Sequence, residues 1–329
     1  MTGFKGWRRA LPALVFMWIG QAALAQDKAT LDYQLQARAL APGVYVVEGT
    51  NADFSPANGC NIINTGFIET DAGVLVINTG PSRLYGEQLR ALIGITTRQP
   101  VTQVLHLNLH PDYFLGNQAF ADVPRRATAE TQAGIAREAA SYESNLYRLC
   151  GDWMKGTETV APDTPQAPGR WTLGKRHFEL RAYQGHTASD LVLVDVTSGV
   201  AFVGGLAFAD RIPTTPHANL ARWLAGLGQL DADLRTLLPD NTLRYVVPSH
   251  GPVRADTTAL QQTRNYLTWL DRTFTQAAQT GQEMVDVLRT PVPPEFQGWA
   301  ALKTEFTRNV VHLYPRYEAQ SLRAAAATP

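Results

Sequence analysis

The side chains able to do chemistry in this chain fall at three places. His106, Asn108, His110, Asp112 and Tyr113 share one short stretch, His186 and Asp190 a second, and His250 a third, within Pro248-Ser249-His250-Gly251-Pro252. Imidazoles and carboxylates are the donors zinc takes, and paired metals about 3.5–4 Å apart clamp the attacking and leaving oxygens of a hydrolysis. Donors of this kind in all three stretches make a metal site one candidate use of them. Asn108 offers only a neutral amide. Tyr113 offers a phenol that must lose a proton with a pKa of about 10 before it ligates well.

Donors are best placed just past strand ends, where a sheet holds them and a ligand can reach them. Residues 101–107 are an apolar run that reads as a buried strand, broken by Pro111 and leading through Gly116-Asn117 towards a helix. Upstream, residues 43–49, 61–68 and 74–78 read as strands, the last two a hairpin around Asp71-Ala72-Gly73, and a helix runs through Ile93. Residues 130–149 are helical, and residues 156–169, with three prolines, form an irregular loop at the seam between two halves of one domain. Residues 178–183, 191–196, 200–203 and 245–247 read as strands, and helices follow Pro216, then cover residues 255–278 and 299–318. Strands followed by helices, twice over, imply two sheets packed face to face with helices outside.

The motifs, taken together, resemble those of the metallo-β-lactamase superfamily. His110 and Asp112 match its His-x-His-x-Asp-His motif, with Asn108 and Tyr113 where two histidines belong. Gly185-His186-Thr187 with Asp190 is similar to its third motif and Pro248-Ser249-His250-Gly251-Pro252 to its fifth. In Gly204-Gly205-Leu206-Ala207-Phe208, Gly205 takes the place of the aspartate that bridges both metals, and Asn78 stands where aspartate is usual. The resemblance implies an α+β, four-layer αβ/βα sandwich, with His110, Asp112, His186 and His250 as metal ligands, Asp112 the catalytic group if the site is active, and Asn108, Tyr113 and Gly205 as degenerate ligand positions. With Gly205 in place of the bridge one carboxylate is left to offset two dications, so a two-zinc site is not expected and there is room for one zinc ion. Pro42-Gly43-Val44-Tyr45-Val46, Phe54-Ser55-Pro56-Ala57-Asn58, Gly116-Asn117-Gln118-Ala119-Phe120, Arg222-Trp223-Leu224 and Arg308-Asn309-Val310 look like the quinoprotein relay system zinc metallohydrolases. That branch implies a connection with pyrroloquinoline-quinone-dependent alcohol oxidation.

Other histidines are weighed against blander roles. Strand alternation puts His106 and Asn108 on one face, which makes His106 an auxiliary donor candidate, though a structural role is favoured. His217 is a second auxiliary candidate, with an exposed loop position favoured. His177 and His312 are read as structural or exposed. Ser249 adjoins His250 without a nucleophile elbow around it.

Twenty-nine basic and 29 acidic residues balance over 329 residues, with no basic stripe, so no nucleic-acid partner is expected. Lys5, Arg8 and Arg9, an apolar stretch, and Ala23-Leu24-Ala25 read as a signal peptide over residues 1–25, ahead of one domain over 26–329. The expectation is a periplasmic protein without a stable membrane anchor. Cys60 and Cys150 are the only cysteines; an oxidising compartment permits a disulfide, and two separately buried thiols are the alternative. The reading is a non-hydrolytic accessory protein of quinoprotein alcohol oxidation that binds a small-molecule ligand or the dehydrogenase system. The alternative is a mononuclear metal-dependent hydrolase of an ester, thioester or lactone.

Overall fold

Segments buried at every position, such as Asp190–Asp195 and Val200–Phe208, are strands covered on both faces. The computed structural model of the protein describes residues 1–3, 31–239 and 242–326. The expected signal cleavage site lies outside the described residues. The chain divides into two units, Met1–Asp32 and Tyr33–Pro329, and all the described helices and strands belong to the second.

The first half of that second unit contains β1 (Arg38–Ala41), β2 (Val44–Val47), β3 (Thr65–Thr70), β4 (Gly73–Ile77), α1 (Arg83–Thr96) and β5 (Val101–Leu105). After the single turn α2 (Pro111–Phe114) come β6 (Arg125–Ala127), α3 (Ala129–Cys150) and β7 (Thr164–Pro165). The second half contains β8 (Gly169–Leu173), β9 (Arg176–Tyr183), β10 (Asp190–Asp195), β11 (Val200–Phe208) and α4 (Leu220–Leu237). It closes with β12 (Tyr245–His250), α5 (Thr258–Gln279), α6 (Met284–Val287) and α7 (Leu302–Ala326).

The strands form a seven-stranded sheet in sequence order, β1 to β7, and a five-stranded sheet in the order β12-β11-β10-β9-β8. The first is antiparallel as far as β4 and parallel beyond it; in the second only β11 and β12 run parallel. Val46, Ile68, Leu75 and Leu105 meet Leu180, Leu191, Leu193 and Phe202 between the sheets. Tyr85, Leu89 and Ile93 of α1 cover the outer face of the first sheet. Trp223 and Leu227 of α4, Tyr266 and Leu270 of α5, and Val310 and Tyr314 of α7 cover that of the second. The architecture is the expected four-layer αβ/βα sandwich.

Several boundaries differ from the sequence reading. β5 ends at Leu105 and not two residues later, because Leu107 gives its backbone N–H to the Asn78 side chain instead of a strand neighbour. The proline-rich seam contains the two-residue β7. The last helix passes through Pro315 and reaches Ala326. Cys60 and Cys150 are joined in a disulfide that ties the loop before β3 to the end of α3. Among the described residues no helix is long and apolar enough to cross a membrane.

Candidate functional site

The candidate site lies at one end of the sandwich, past the ends of β5, β11 and β12. The Asn78 side chain holds Leu107 N at 3.1 Å, and Asn78 takes a left-handed φ of 57° that asparagine tolerates. Leu107 O in turn accepts from Leu191 N of the other sheet at 2.8 Å. These bonds fix the chain just ahead of Asn108. His110 caps α2, Pro111 takes the first helical position, where its missing N–H costs nothing, and Asp112 follows. On the other side Asn64 Nδ2 donates to Pro248 O (3.0 Å) and Gly251 O (2.8 Å), and so clamps the turn that carries His250. Behind the motif, glycine is required at 116: a β-carbon there would stand 2.0 Å from Thr79 O.

The donors are posed as ligands usually are. His186 Nδ1–H donates to Asp190 Oδ1 at 2.9 Å, which leaves Nε2 buried and without a hydrogen-bond partner. His250 Nδ1–H donates to Ile62 O at 2.7 Å, and its Nε2 stands 3.6 Å from Asp112 Oδ2. An imidazole tied at one nitrogen presents the other in a fixed tautomer and direction. His110 Nε2 and Asp112 Oδ2 are likewise buried without hydrogen-bond partners. The His110 ring centroid is 4.6 Å from that of His186 and 5.6 Å from that of His217.

Burial governs the electrostatics. It pushes Asp112 up to about 7, against the pull of Arg211, and it holds His110 and His250 well below the usual histidine range. Neighbouring imidazoles add to the effect at His110, and Arg211 adds to it at His250. Burial also raises the Tyr113 phenol well above its ordinary value, which keeps it a neutral group.

Asn108 and Gly205 stand where the resemblance expects ligands, and their surroundings are taken up by other contacts. Asn108 spends its amide on the protein: Oδ1 accepts from His110 N (2.9 Å), and Nδ2 lies 3.4 Å from Asp190 Oδ1 and 3.3 Å from His186 Nδ1. At Gly205 a β-carbon would meet His186 Nδ1 at 2.1 Å, so the imidazole fills the space a bridging side chain would need. Among the described residues no three His, Cys, Asp or Glu side chains are gathered into a group that could hold a metal ion.

His106 does not join the pocket. It is fully buried, its Nδ1 is 3.1 Å from the Tyr113 carbonyl oxygen, and burial lowers it to about 4. The chain leaves β5 before that position, so strand alternation no longer places it beside Asn108. His217 and His312, read as peripheral, both line the cavity, whereas His177 is exposed. His217 Nε2 lies 3.0 Å from the Tyr142 hydroxyl. The cavity measures about 370 Å³ and is bounded by the α2 motif, α3 and α7. Arg211, Arg308 and Tyr142 also contribute to its wall. Arg308 lies in one of the resembling motifs, but nothing local in the sequence marks any of the three as facing a pocket.

Comparison with solved structures finds the same fold. A metallo-β-lactamase from Pontibacter korlensis superposes with a TM-score of 0.57 at 21% identity, covering 71% of this chain and 99% of that one. The metallo-β-lactamase FIM-1 from Pseudomonas aeruginosa, in its mono-zinc form, gives 0.55 at 15% identity, covering 72% and 96%. A metallo-β-lactamase from Hirschia baltica gives 0.54 at 17% identity, covering 71% and 97%. The chain has the metallo-β-lactamase fold. No protein-family model and no curated protein matches it.

Proposed function

We propose that this chain is a secreted metallo-β-lactamase-fold protein whose dinuclear zinc site has decayed, and that it binds a small ligand without hydrolysing it. One observation carries the reading: the space a bridging carboxylate would need at Gly205 is filled by the His186 ring and the Asn108 amide. A two-metal hydrolase clamps the attacking and leaving oxygens between paired dications, and the residues at 108, 113 and 205 supply no anionic or imidazole ligand for such a pair. A role beside quinoprotein alcohol oxidation rests on the motif resemblance alone. Export rests on the basic, apolar and small-residue pattern of the first 25 residues.

A second reading, a mononuclear metal-dependent hydrolase of an ester, thioester or lactone, is favoured by the free donor atoms. His186 Nε2, His110 Nε2 and Asp112 Oδ2 are buried without hydrogen-bond partners, and His250 Nε2 faces Asp112. Those are the four residues an ion would draw on, although no three of them are gathered into a ready-made group; it would supply Lewis-acid chemistry when bound. Elemental analysis of exported protein, with ester, thioester and lactone substrates assayed alongside, separates the two. The first reading expects well under one metal per chain, no turnover above background, and a mature chain beginning at Gln26. One metal per chain with chelator-sensitive turnover establishes the second.

A further inference from the structure

We propose that the Tyr142 side chain is a gate: its hydrogen bond to His217 closes the cavity over His110 and His186, and its swing away from that bond opens the way to them. The inference concerns access, so it goes beyond both readings of the site's chemistry and depends on neither.

Four rings stand in a row from floor to mouth. His186 is 0% and His110 6% exposed, whereas His217 and Tyr142 are half-buried. Ring centroids are 4.6 Å apart between His186 and His110 and 5.6 Å apart between His110 and His217. His217 Nε2 lies 3.0 Å from the Tyr142 hydroxyl. His110, His217 and Tyr142 line the same cavity. The gradient of exposure puts the Tyr142–His217 pair on the solvent side of the two buried imidazoles, whose Nε2 atoms solvent does not reach. For anything to reach those atoms, a side chain must move.

The joints around the cavity differ in strength, and this one is the weakest. The loop before β3 is joined to α3 by the Cys60–Cys150 disulfide and to α7 by the Asp53–Arg308 ion pair at 2.9 Å. The loop between β11 and α4 is joined to α7 three times. Thr215 donates to Asn309 (2.9 Å), Arg316 donates to Ala218 O (2.7 Å), and Arg211 pairs with Glu305 (3.5 Å). Among the described residues α3 and that second loop share a single hydrogen bond, Tyr142 with His217. One such bond contributes far less than a covalent link and less than a charge-assisted one. The helix itself is pinned at both ends, by Thr128 and Thr131 on Ser189 (2.9 and 3.3 Å) and by Cys150. The backbone therefore stays and the side chain swings, a change of rotamer that needs no opening of the fold.

The test is the rate at which diethyl pyrocarbonate modifies His110 in the full-length protein, read by peptide mass mapping, with the exposed His177 as internal standard. Tyr142→Phe removes the hydroxyl and keeps the ring. It is expected to raise the His110 rate, relative to His177, by about twofold to tenfold, the worth of one hydrogen bond. Tyr142→Ala should raise it at least as much. Amide hydrogen exchange along α3 should be the same in Tyr142→Phe as in the parent, whereas a merely structural bond would speed it when lost. Asp53→Asn breaks a different joint and should leave the His110 rate within about twofold of the parent. If the Tyr142 variants fail to fold, His217→Leu removes the same bond from its other side and is read against the same expectations. A rate in Tyr142→Phe less than about twice the parent's, no modification of His110 in any variant, faster exchange throughout α3, or a larger effect from Asp53→Asn than from Tyr142→Phe overturns the proposal.

Discussion

Replacing Gly205 with alanine probes the rebuilt floor of the site with a single methyl group. Its β-carbon would stand 2.1 Å from His186 Nδ1, 2.2 Å from Cε1 and 2.6 Å from Asn108 Nδ2, where ordinary contact begins at 3.4 Å. The imidazole cannot retreat freely, since Trp223 (4.9 Å between ring centroids), Phe208 (5.7 Å) and His110 (4.6 Å) surround it. If the ring moves, it surrenders its bond to Asp190, a loss of about 1–3 kcal/mol for a buried pair. If it stays, the overpacking costs about 1–3 kcal/mol. Either route, or a mixture of the two, gives a destabilisation of about 1–3 kcal/mol, and a melting temperature lower by roughly 2–12 °C. Gly228→Ala is the control. It lies on α4 with nothing within 4 Å of its would-be β-carbon, so helix propensity should stabilise the protein by about 0.5–1 kcal/mol. Urea denaturation of the three proteins measures both. A Gly205→Ala variant within about 0.5 kcal/mol of the parent, inside the scatter of neutral surface changes, would refute the packing argument.

The triple variant Asn108→His, Tyr113→His, Gly205→Asp should raise zinc, read by elemental analysis and calorimetric titration, towards two per chain; a folded variant with unchanged zinc content would show the motif alignment to be wrong. Gly205 is not among the positive-φ glycines, so aspartate there meets a steric obstacle and not a backbone one. Breaking the Cys60–Cys150 disulfide by a double serine substitution should cost about 4–5 kcal/mol, given the sequence separation of 90 that it closes; a loss under about 1 kcal/mol would contradict that, and peptide mapping without reductant checks the bond itself. His106 lies at about 4 in the fold against 6.5 ordinarily, so the folded chain refuses a proton that the unfolded chain accepts. Its contribution is present above pH 6.5 and is lost as pH falls towards 4, by up to about 3 kcal/mol. Because Asp112 and Glu305, both raised to about 7, act in the opposite direction, the test is the stability difference between parent and His106→Gln, which should shrink over that interval.

Much of the fold was legible because burial writes itself into composition. Strands covered on both faces, such as β4 and β10, are apolar runs that no exposed segment would tolerate. The ligand-like histidines were legible because each follows such a run and precedes a tight turn. The edge strands β1 and β8 are partly exposed, and their mixed composition hides them. The far wall of the cavity was hidden for another reason. Tyr142 and His217 meet across 75 positions, and Arg308 of α7 reaches Asp53 across 255; no periodicity encodes such pairings. The auxiliary-donor role weighed for His106 came from carrying alternation past Leu105, and at Leu107 an asparagine side chain replaces the sheet as partner.

The cavity draws one wall from Phe54 and Ile62 and another from Arg308 and His312. A chain that emerges N-terminus first delivers the second wall after the first. Until then the second sheet also lacks the cover of Phe306, Val310, Leu313 and Tyr314. A chain that stops short of α7 would present an open trough and a greasy face together, the surface that chaperones and proteases recognise. Closure of the cavity and cover for the second sheet thus come from the same helix, and a product truncated before α7 should lack both.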